Sequence, residues 1–453
     1  MSRRWFGTDG VRGVAGEGPL AAPFLRRLGL AFGESEGAGP VLICRDTRES
    51  GPVVTAALKQ GLVAAGAEAV DLGVLPTPGL PMAMRARGAS RGIVVSASHN
   101  PWRDNGVKLF GEGGLKLSDV TEAALEDRIA ELGGTDDDAK PAPTIAEADE
   151  DGAVAYVAAL IERFAGLDLS GVDLVIDCAH GAASRTAVPV LTALGARVTA
   201  IGDAPDGRNI NDGCGSTHLE LLAATVCAGG HALGMAFDGD ADRVLMVDAA
   251  GRHCTGDAML GLLGPWLDAR DRLPQRTVVA TIMSNLGLEQ RLAAAGLKML
   301  RTAVGDRYVL AEMQAGGYAL GGEDSGHLLF GPENDFTGDG LDTGLRVLTA
   351  LAETKTTLAD AIDAIPSIPQ VLINVPVASK PPLDELTDVN ARVAELQAEY
   401  GAELRLVLRY SGTESLARVM VEGTDADVVT TSADELAGLW AQAAERAAGD
   451  VAR

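Results

Sequence analysis

Val41-Leu42-Ile43-Cys44-Arg45-Asp46-Thr47-Arg48-Glu49-Ser50 is an apolar run that opens into a polar loop. A helical stretch follows and ends at Gly66, after which Ala67 to Leu72 is again β-rich. Short apolar runs of this kind read as buried strands, and a glycine behind a helix stops it in the left-handed conformation. Strand, helix and strand in that order imply parallel pairing through a right-handed crossover.

The same grammar occurs twice more. Leu174-Val175-Ile176-Asp177 leads into a small polar loop at His180-Gly181, a helix to Gly195 and a strand from Arg197 to Ile201. Val278-Val279-Ala280-Thr281 turns at Ser284-Asn285, passes a helix to Gly296 and resumes at Leu297 to Leu300. Three such units imply three related α/β domains. The tail differs: Pro366, Pro369, Pro376, Pro381 and Pro382 break the pattern. Beyond them the sequence predicts a helix over 383–400, strands over 404–409 and 417–422, and a last helix from about 425, a smaller α+β domain. The acidic stretch Thr135 to Asp151, with Pro141 and Pro143, reads as an exposed linker or long loop.

The length of 453 residues fits three or four domains of roughly 100–200 residues each. With 47% hydrophobic and 22% charged residues the chain is neither disordered nor a fibrous repeat. A formal charge of −25 argues against a nucleic-acid partner, which needs positive surface to displace counterions. The five cysteines are scattered without a CxxC pair, which fits a reducing cytosol and gives no zinc-site signal. The N-terminus has no apolar signal segment, and the longest uncharged apolar stretch, Leu221 to Phe237, is interrupted by Gly229, Gly230, His231 and Gly234. A soluble, cytoplasmic protein with no membrane partner is expected.

The strongest chemical signal is Asp238-Gly239-Asp240-Ala241-Asp242-Arg243, directly after the apolar run Leu233 to Phe237. Three carboxylates at alternate positions converge if the chain curls, and hard oxygen ligands suit Mg²⁺. A Ca²⁺ loop has a similar start, but its twelfth position is Ala249 here instead of glutamate, and a solvated acidic turn is the plain alternative. Ser96-Ala97-Ser98-His99-Asn100-Pro101 and Asp104-Asn105-Gly106-Val107-Lys108 follow the strand Gly92 to Val95; they offer a nucleophile with acid/base partners, or ordinary turns. Gly321-Gly322-Glu323-Asp324-Ser325-Gly326-His327 mixes glycines with hydroxyl-binding side chains. Arg409-Tyr410-Ser411-Gly412-Thr413-Glu414 offers a guanidinium, hydroxyls and backbone N–H groups to a phosphate. Gly7-Thr8-Asp9-Gly10-Val11-Arg12-Gly13 adds a glycine-rich segment with an arginine.

Together, and in this order, these segments closely resemble the α-D-phosphohexomutase family over essentially the whole chain. Phe6 to Gly13 matches its N-terminal loop, Ser96 to Pro101 with Asn105 to Lys108 its phosphoserine loop, and Asp238 to Arg243 its metal loop. Gly322 to His327 matches its sugar-binding loop, and Arg409 to Glu414 its phosphate-binding loop. Asn209 to His218 and Val304-Gly305-Asp306-Arg307-Tyr308-Val309 are similar to the glucosamine branch of that family. Ser415, Tyr410, Asp324 and Ala241 depart from the usual family residues.

The resemblance implies four domains around a central cleft: α/β domains over 1–150, 151–252 and 253–368, and a C-terminal α+β domain over 369–453. It implies an isomerase that interconverts glucosamine 6-phosphate and glucosamine 1-phosphate through a phosphoserine and a sugar 1,6-bisphosphate, feeding UDP-N-acetylglucosamine and cell-wall precursors. Ser98 would carry the phosphoryl group, and one Mg²⁺ would be held by Asp238, Asp240, Asp242 and phosphorylated Ser98. His99 and Lys108 would serve proton transfer and orientation, while Arg12 and Arg243 steady the transferring phosphate. Glu323 and Ser325, with His327 nearby, would take sugar hydroxyls, and Arg409, Ser411, Gly412 and Thr413 the unreactive phosphate. A hexosamine phosphate is the expected small-molecule partner and a homodimer the expected assembly. A phosphomannomutase or phosphoglucomutase activity on the same fold, or a sugar-phosphate binder without catalysis, are the competing readings.

Overall fold

The structure is a computed structural model that describes residues 4–7, 9–133, 148–410 and 415–451. Its first sheet runs, edge to edge, Val11–Val14, Asp104–Phe110, Arg91–Val95, Val41–Arg45, Ala69–Val74. Val41–Arg45 lies between Arg91–Val95 and Ala69–Val74 and is parallel to both, because the helices Gly51–Ala64 and Gly79–Arg87 carry the chain back between strands. Asp104–Phe110 then returns antiparallel to Arg91–Val95. The second sheet repeats the plan: Asp173–Asp177 is flanked in parallel by Arg197–Ile201 and Leu233–Phe237, and Val244–Asp248 returns antiparallel. The pair His253–Cys254 completes its edge, just past the boundary expected at residue 252. In the third sheet Thr277–Thr281 lies between Lys298–Thr302 and Leu320–Gly322, with Leu328–Phe330 as the antiparallel return.

The three strand–helix–strand units read from the sequence are thus the parallel hearts of three sheets. The inner strands Arg91–Val95, Leu233–Phe237 and Thr277–Thr281 are buried at every position because helices cover both faces, whereas the edge strands Arg197–Ile201 and Lys298–Thr302 are partly exposed. One apolar core runs from Leu42 and Leu72 of the first sheet through Ile176 and Met235 of the second to Val278 and Leu345. The C-terminal domain has its own core around Val419, Leu436 and Trp440, under the antiparallel sheet Gln370–Pro376, Leu416–Gly423, Leu404–Tyr410.

Two expectations change. Gln370–Pro376 is a strand inside the proline cluster that seemed to break the pattern; it lies at the sheet edge, where a proline at its end costs no ladder bond. The acidic linker falls mostly outside the described residues, but its end is fastened to the first domain. The Asp149 carboxylate accepts from the Asp71 amide at 2.8 Å and from Lys59, Glu150 pairs with Arg87, and Asp151 caps the helix Gly152–Arg163.

Candidate active site

In each α/β sheet the third parallel strand and its antiparallel return are joined by a loop, and all three loops carry predicted site residues. Ser96 to Arg103 follows Arg91–Val95, Asp238 to Arg243 follows Leu233–Phe237, and Glu323 to His327 follows Leu320–Gly322. Loops at the carboxyl ends of parallel strands, where the strand order reverses, are where open α/β sheets form sites.

Ser98 has φ 52°, a conformation that a non-glycine residue holds only when its surroundings enforce it. Its amide donates to Ser96 Oγ at 2.9 Å, and its carbonyl accepts from Arg48 Nη2 at 2.8 Å and Asn211 Nδ2 at 2.9 Å. Gly239 packs so closely that a Cβ there would lie 2.6 Å from the Ser98 carbonyl oxygen. The buried Ser98 hydroxyl donates to Asp238 Oδ2 at 2.5 Å, and His99 Nδ1 lies 3.4 Å from it.

Asp238, Asp240 and Asp242 are buried with one oxygen of each inside a 4.8 Å group, as the alternating spacing required. Among the described residues Asp240 Oδ1 has no hydrogen-bond partner and Asp242 Oδ1 meets only His327 Nδ1 at 3.3 Å and Arg243 Nε at 3.7 Å, so the cluster keeps oxygen donors of the kind a hard divalent cation fills. The Ca²⁺-loop and solvated-turn alternatives fit poorly: the loop closes without a twelfth-position ligand and its carboxylates are buried. Burial, then Asp242 and Asp240, push the Asp238 carboxyl well above the ordinary carboxylate range. Asp242 goes the other way: burial opposes its charge, but Lys108 and His327 hold it low.

Lys108, on the return strand of the first domain, crosses to this loop: its Nζ lies 2.8 Å from Asp240 Oδ2, 3.4 Å from Asp242 Oδ2 and 3.3 Å from Asp9 Oδ2. It is buried, yet the three carboxylates overcome the burial cost and hold it charged. His99 is the opposite case. Burial, then Arg243 and Arg12, lower it to about 4, so its imidazole is neutral at pH 7. The residues expected to share proton transfer therefore differ in state, a charged Lys108 and a neutral His99.

Arg12 pairs with Asp9 and reaches Asn100 Oδ1 at 3.4 Å. Arg243 is kept charged against its burial by Asp242, Asp238 and Glu323, and its Nε has no hydrogen-bond partner among the described residues. His327 places Nδ1 3.3 Å from Asp242 Oδ1, so it joins the acidic loop directly; Asp242 and Asp306 raise it despite burial. Glu323 Oε1 accepts from the Gly305 amide at 3.0 Å, and its charge acts on both Arg243 and Arg409. Ser325 is half-buried in the same loop. Arg409 is the penultimate residue of the strand Leu404–Tyr410; burial and the neighbouring Arg418 lower it, and its Nε has no hydrogen-bond partner among the described residues. Ser411, Gly412 and Thr413 lie outside the described residues.

Sequence reasoning missed the support of this centre. Arg48 is buried and donates to four carbonyl oxygens, those of Ser98, Asn100, Pro101 and Asp104, while its Nε donates to Asp46 Oδ2 at 2.8 Å. Asp46 also accepts from Ser96 Oγ at 2.6 Å. Thr77 Oγ1 donates to Asp240 Oδ2 at 2.5 Å, and the Thr77 amide donates to the Asp240 carbonyl at 2.9 Å. The available signal was positional: Asp46 and Arg48 follow the strand Val41–Arg45, which pairs in parallel with the strand ending at Val95.

Comparison with known proteins agrees with the four-domain fold. The chain matches the four phosphoglucomutase/phosphomannomutase domains in order: α/β/α domain I over residues 3–134, II over 154–251, III over 255–368 and the C-terminal domain over 372–439. It is 43% identical to a phosphoglucosamine mutase of Anaeromyxobacter dehalogenans, covering 98% of this chain and 100% of that protein. It is 46% identical to one of Deinococcus radiodurans, covering 93% of this chain and 94% of that protein. The crystal structure of a phosphoglucomutase/phosphomannomutase family protein from Burkholderia thailandensis superposes with a TM-score of 0.80 at 26% identity, covering 98% of each chain. Among the described residues no helix is long and apolar enough to cross a membrane. With four domains in register, full-length relatives above 40% identity and a shared fold, the chain belongs to the phosphoglucomutase/phosphomannomutase family, the α-D-phosphohexomutases.

Proposed function

We propose that this chain is an isomerase that interconverts glucosamine 6-phosphate and glucosamine 1-phosphate, the reaction named for its full-length relatives. The observation that carries the chemistry is the Ser98 hydroxyl held on Asp238 within the three-aspartate loop, beside a charged Lys108. In the forward half the bond from phosphorus to Ser98 Oγ breaks and one to a sugar hydroxyl oxygen forms; the proton that hydroxyl loses balances the one Ser98 Oγ gains. In the return half the bond from phosphorus to the other sugar oxygen breaks and one to Ser98 Oγ forms; the proton that the serine loses, passed by way of neutral His99, balances the one the released sugar oxygen gains.

Asp238, Asp240 and Asp242, with phosphorylated Ser98, would hold one Mg²⁺; their orphaned oxygens support that assignment. Bound there, the ion neutralises phosphoryl charge, the main demand of a loose phosphoryl-transfer transition state. Lys108 stands on the same carboxylates and supplies fixed positive charge. Arg12 and Arg243 flank the loop as clamps for the moving phosphate. Glu323 and Ser325 hold sugar hydroxyls, with His327 orienting Asp242, and Arg409 with Ser411, Gly412 and Thr413 holds the phosphate that is not reacting. The expected setting is the cytoplasm, with a homodimer as the assembly.

The test is isomerisation of glucosamine 6-phosphate beside glucose 6-phosphate and mannose 6-phosphate, with Mg²⁺ and a trace of the matching bisphosphate. Preference for the amino sugar, abolished by Ser98→Ala, is the expected result. Preference for mannose or glucose would overturn the sugar assignment, and no turnover of any sugar by phosphorylated protein would favour a binding role.

A further inference from the structure

We propose that Asp306 reads the amino group of the substrate. The inference rests on the amino-sugar reading above and deepens it. An amino group on a sugar ring has a pKa of about 8, by analogy with an α-amino group, so at neutral pH the substrate carries a cation where glucose and mannose carry a hydroxyl. Discrimination by charge then requires a carboxylate that faces the sugar and has bonding capacity left.

The carboxylates around the site divide clearly. Asp238, Asp240 and Asp242 form the acidic loop. Asp9 is saturated by cations, with Arg12, Lys108 and Lys116 all on it. Asp324 turns toward the third domain, where its Oδ1 accepts from the Asp257 amide at 3.3 Å. Glu323 is assigned to hydroxyls.

Asp306 remains. It opens the helix Asp306–Gly316, and the residue before it, Gly305, donates its amide to Glu323, which sets Asp306 next to the sugar loop. Its side chain is 23% exposed, as is that of Asp9, so it is open to a ligand from the cleft side of the cluster it forms with Lys116 and His327. Oδ2 accepts from Lys116 Nζ at 2.7 Å and Oδ1 from the Arg307 amide at 2.9 Å; His327 Nε2 lies 3.8 Å away. A carboxylate has about four acceptor positions, so two remain. The Arg307 guanidinium does not take them: it turns to Asp119 at 2.8 Å and Glu122 at 3.6 Å on the first domain. Asp306 already takes one primary ammonium, that of Lys116, which Asp9 also holds at 2.5 Å.

Asp306→Asn keeps the shape and removes the charge. Titration of the full-length variant with glucosamine 6-phosphate and glucose 6-phosphate, alongside their kcat/KM values, gives the answer. A charge-assisted hydrogen bond lost from one ligand only should cut the ratio of amino-sugar to glucose affinity by about tenfold or more. An unchanged ratio in both titration and kcat/KM, whether the two sugars weaken together or neither does, overturns the proposal, because a structural role would move both alike. If the variant turns over neither sugar, the ratio of binding constants decides by the same criterion. A wild-type protein without amino-sugar preference would instead overturn the reading beneath it, so the two failures are separable.

Discussion

The two ends of the site are built differently. At the Ser98 end contacts converge from two domains: Arg48 donates from both Nη groups to carbonyls in and beside the serine loop and from Nε to Asp46, Asn211 reaches across from the second domain, and Gly239 touches the serine carbonyl. At the Arg409 end there is no such support: among the described residues Arg409 Nε and Tyr410 Oη are buried with no hydrogen-bond partner, and Arg409 makes no ion pair. That domain has its own core and meets the third domain through polar contacts, Arg405 donating to the carbonyls of Ile282 and Ser284 at 2.7 and 2.9 Å. The difference follows from the proposed chemistry. The transferring end gains from preorganised charge, whereas the holding end must accept phosphate from a sugar presented in either orientation.

Asp240→Asn should show the largest effect, because it removes one oxygen donor from the acidic loop and one of the three carboxylate charges around Lys108. Turnover should fall by about 10³-fold, the upper range for one preorganised electrostatic group, with the unfolding midpoint little changed. Activity near that of the wild type would remove the metal assignment and, with it, the contrast between the ends.

Arg48→Met tests whether the reacting end is held by its support. It leaves the buried Asp46 carboxylate without its cation and four carbonyls without a donor, so urea unfolding should report a loss of about 3–5 kcal/mol. Arg48→Lys should recover only part of it, since an ammonium has three donors and no fork geometry. A loss below about 1 kcal/mol would mean that the Ser98 loop is held by other contacts.

At the other end, Arg409→Ala should weaken binding of the monophosphate by about 10–100-fold while stability barely moves, because the guanidinium has no ion-pair partner among the described residues to leave behind. Unchanged affinity by calorimetry would take Arg409 out of the phosphate site.

The smallest effect concerns the joint between the third and C-terminal domains. Burial, then Asp324, push the Asp257 carboxyl up to about 7, against the Asn285 amide that it accepts at 2.7 Å. A raised folded-state pKa favours the protonated native form, so this stabilisation is full below the unfolded value near 4 and is lost as pH rises through about 7. Asp257→Asn should gain on the wild type in melting temperature by several degrees between pH 5 and 8. A pH-independent difference would contradict the assignment.

What was legible in the sequence were features written in consecutive residues. Apolar runs and helix-stopping glycines mark the parallel hearts of all three sheets, and the alternation of Asp238, Asp240 and Asp242 already forces three carboxylates toward one point. What was hidden depends on contacts between distant residues. Arg48 lies 50 positions from Ser98, and Thr77 reaches Asp240 across 163, so no spacing rule could pair them. The strand Gln370–Pro376 was obscured because prolines signal a break unless the strand is known to lie at an edge. The opposite states of Lys108 and His99 were equally unreadable, since both are set by neighbours from other domains.

The most direct test of the account is where the phosphoryl group resides. Protein incubated with Mg²⁺ and glucosamine 1,6-bisphosphate should gain the mass of one phosphate, mapped by peptide analysis to Ser98, and lose it when glucosamine 6-phosphate is added in excess. Phosphate on a different residue, or a Ser98→Ala variant that still exchanges phosphate with the sugar, would contradict it.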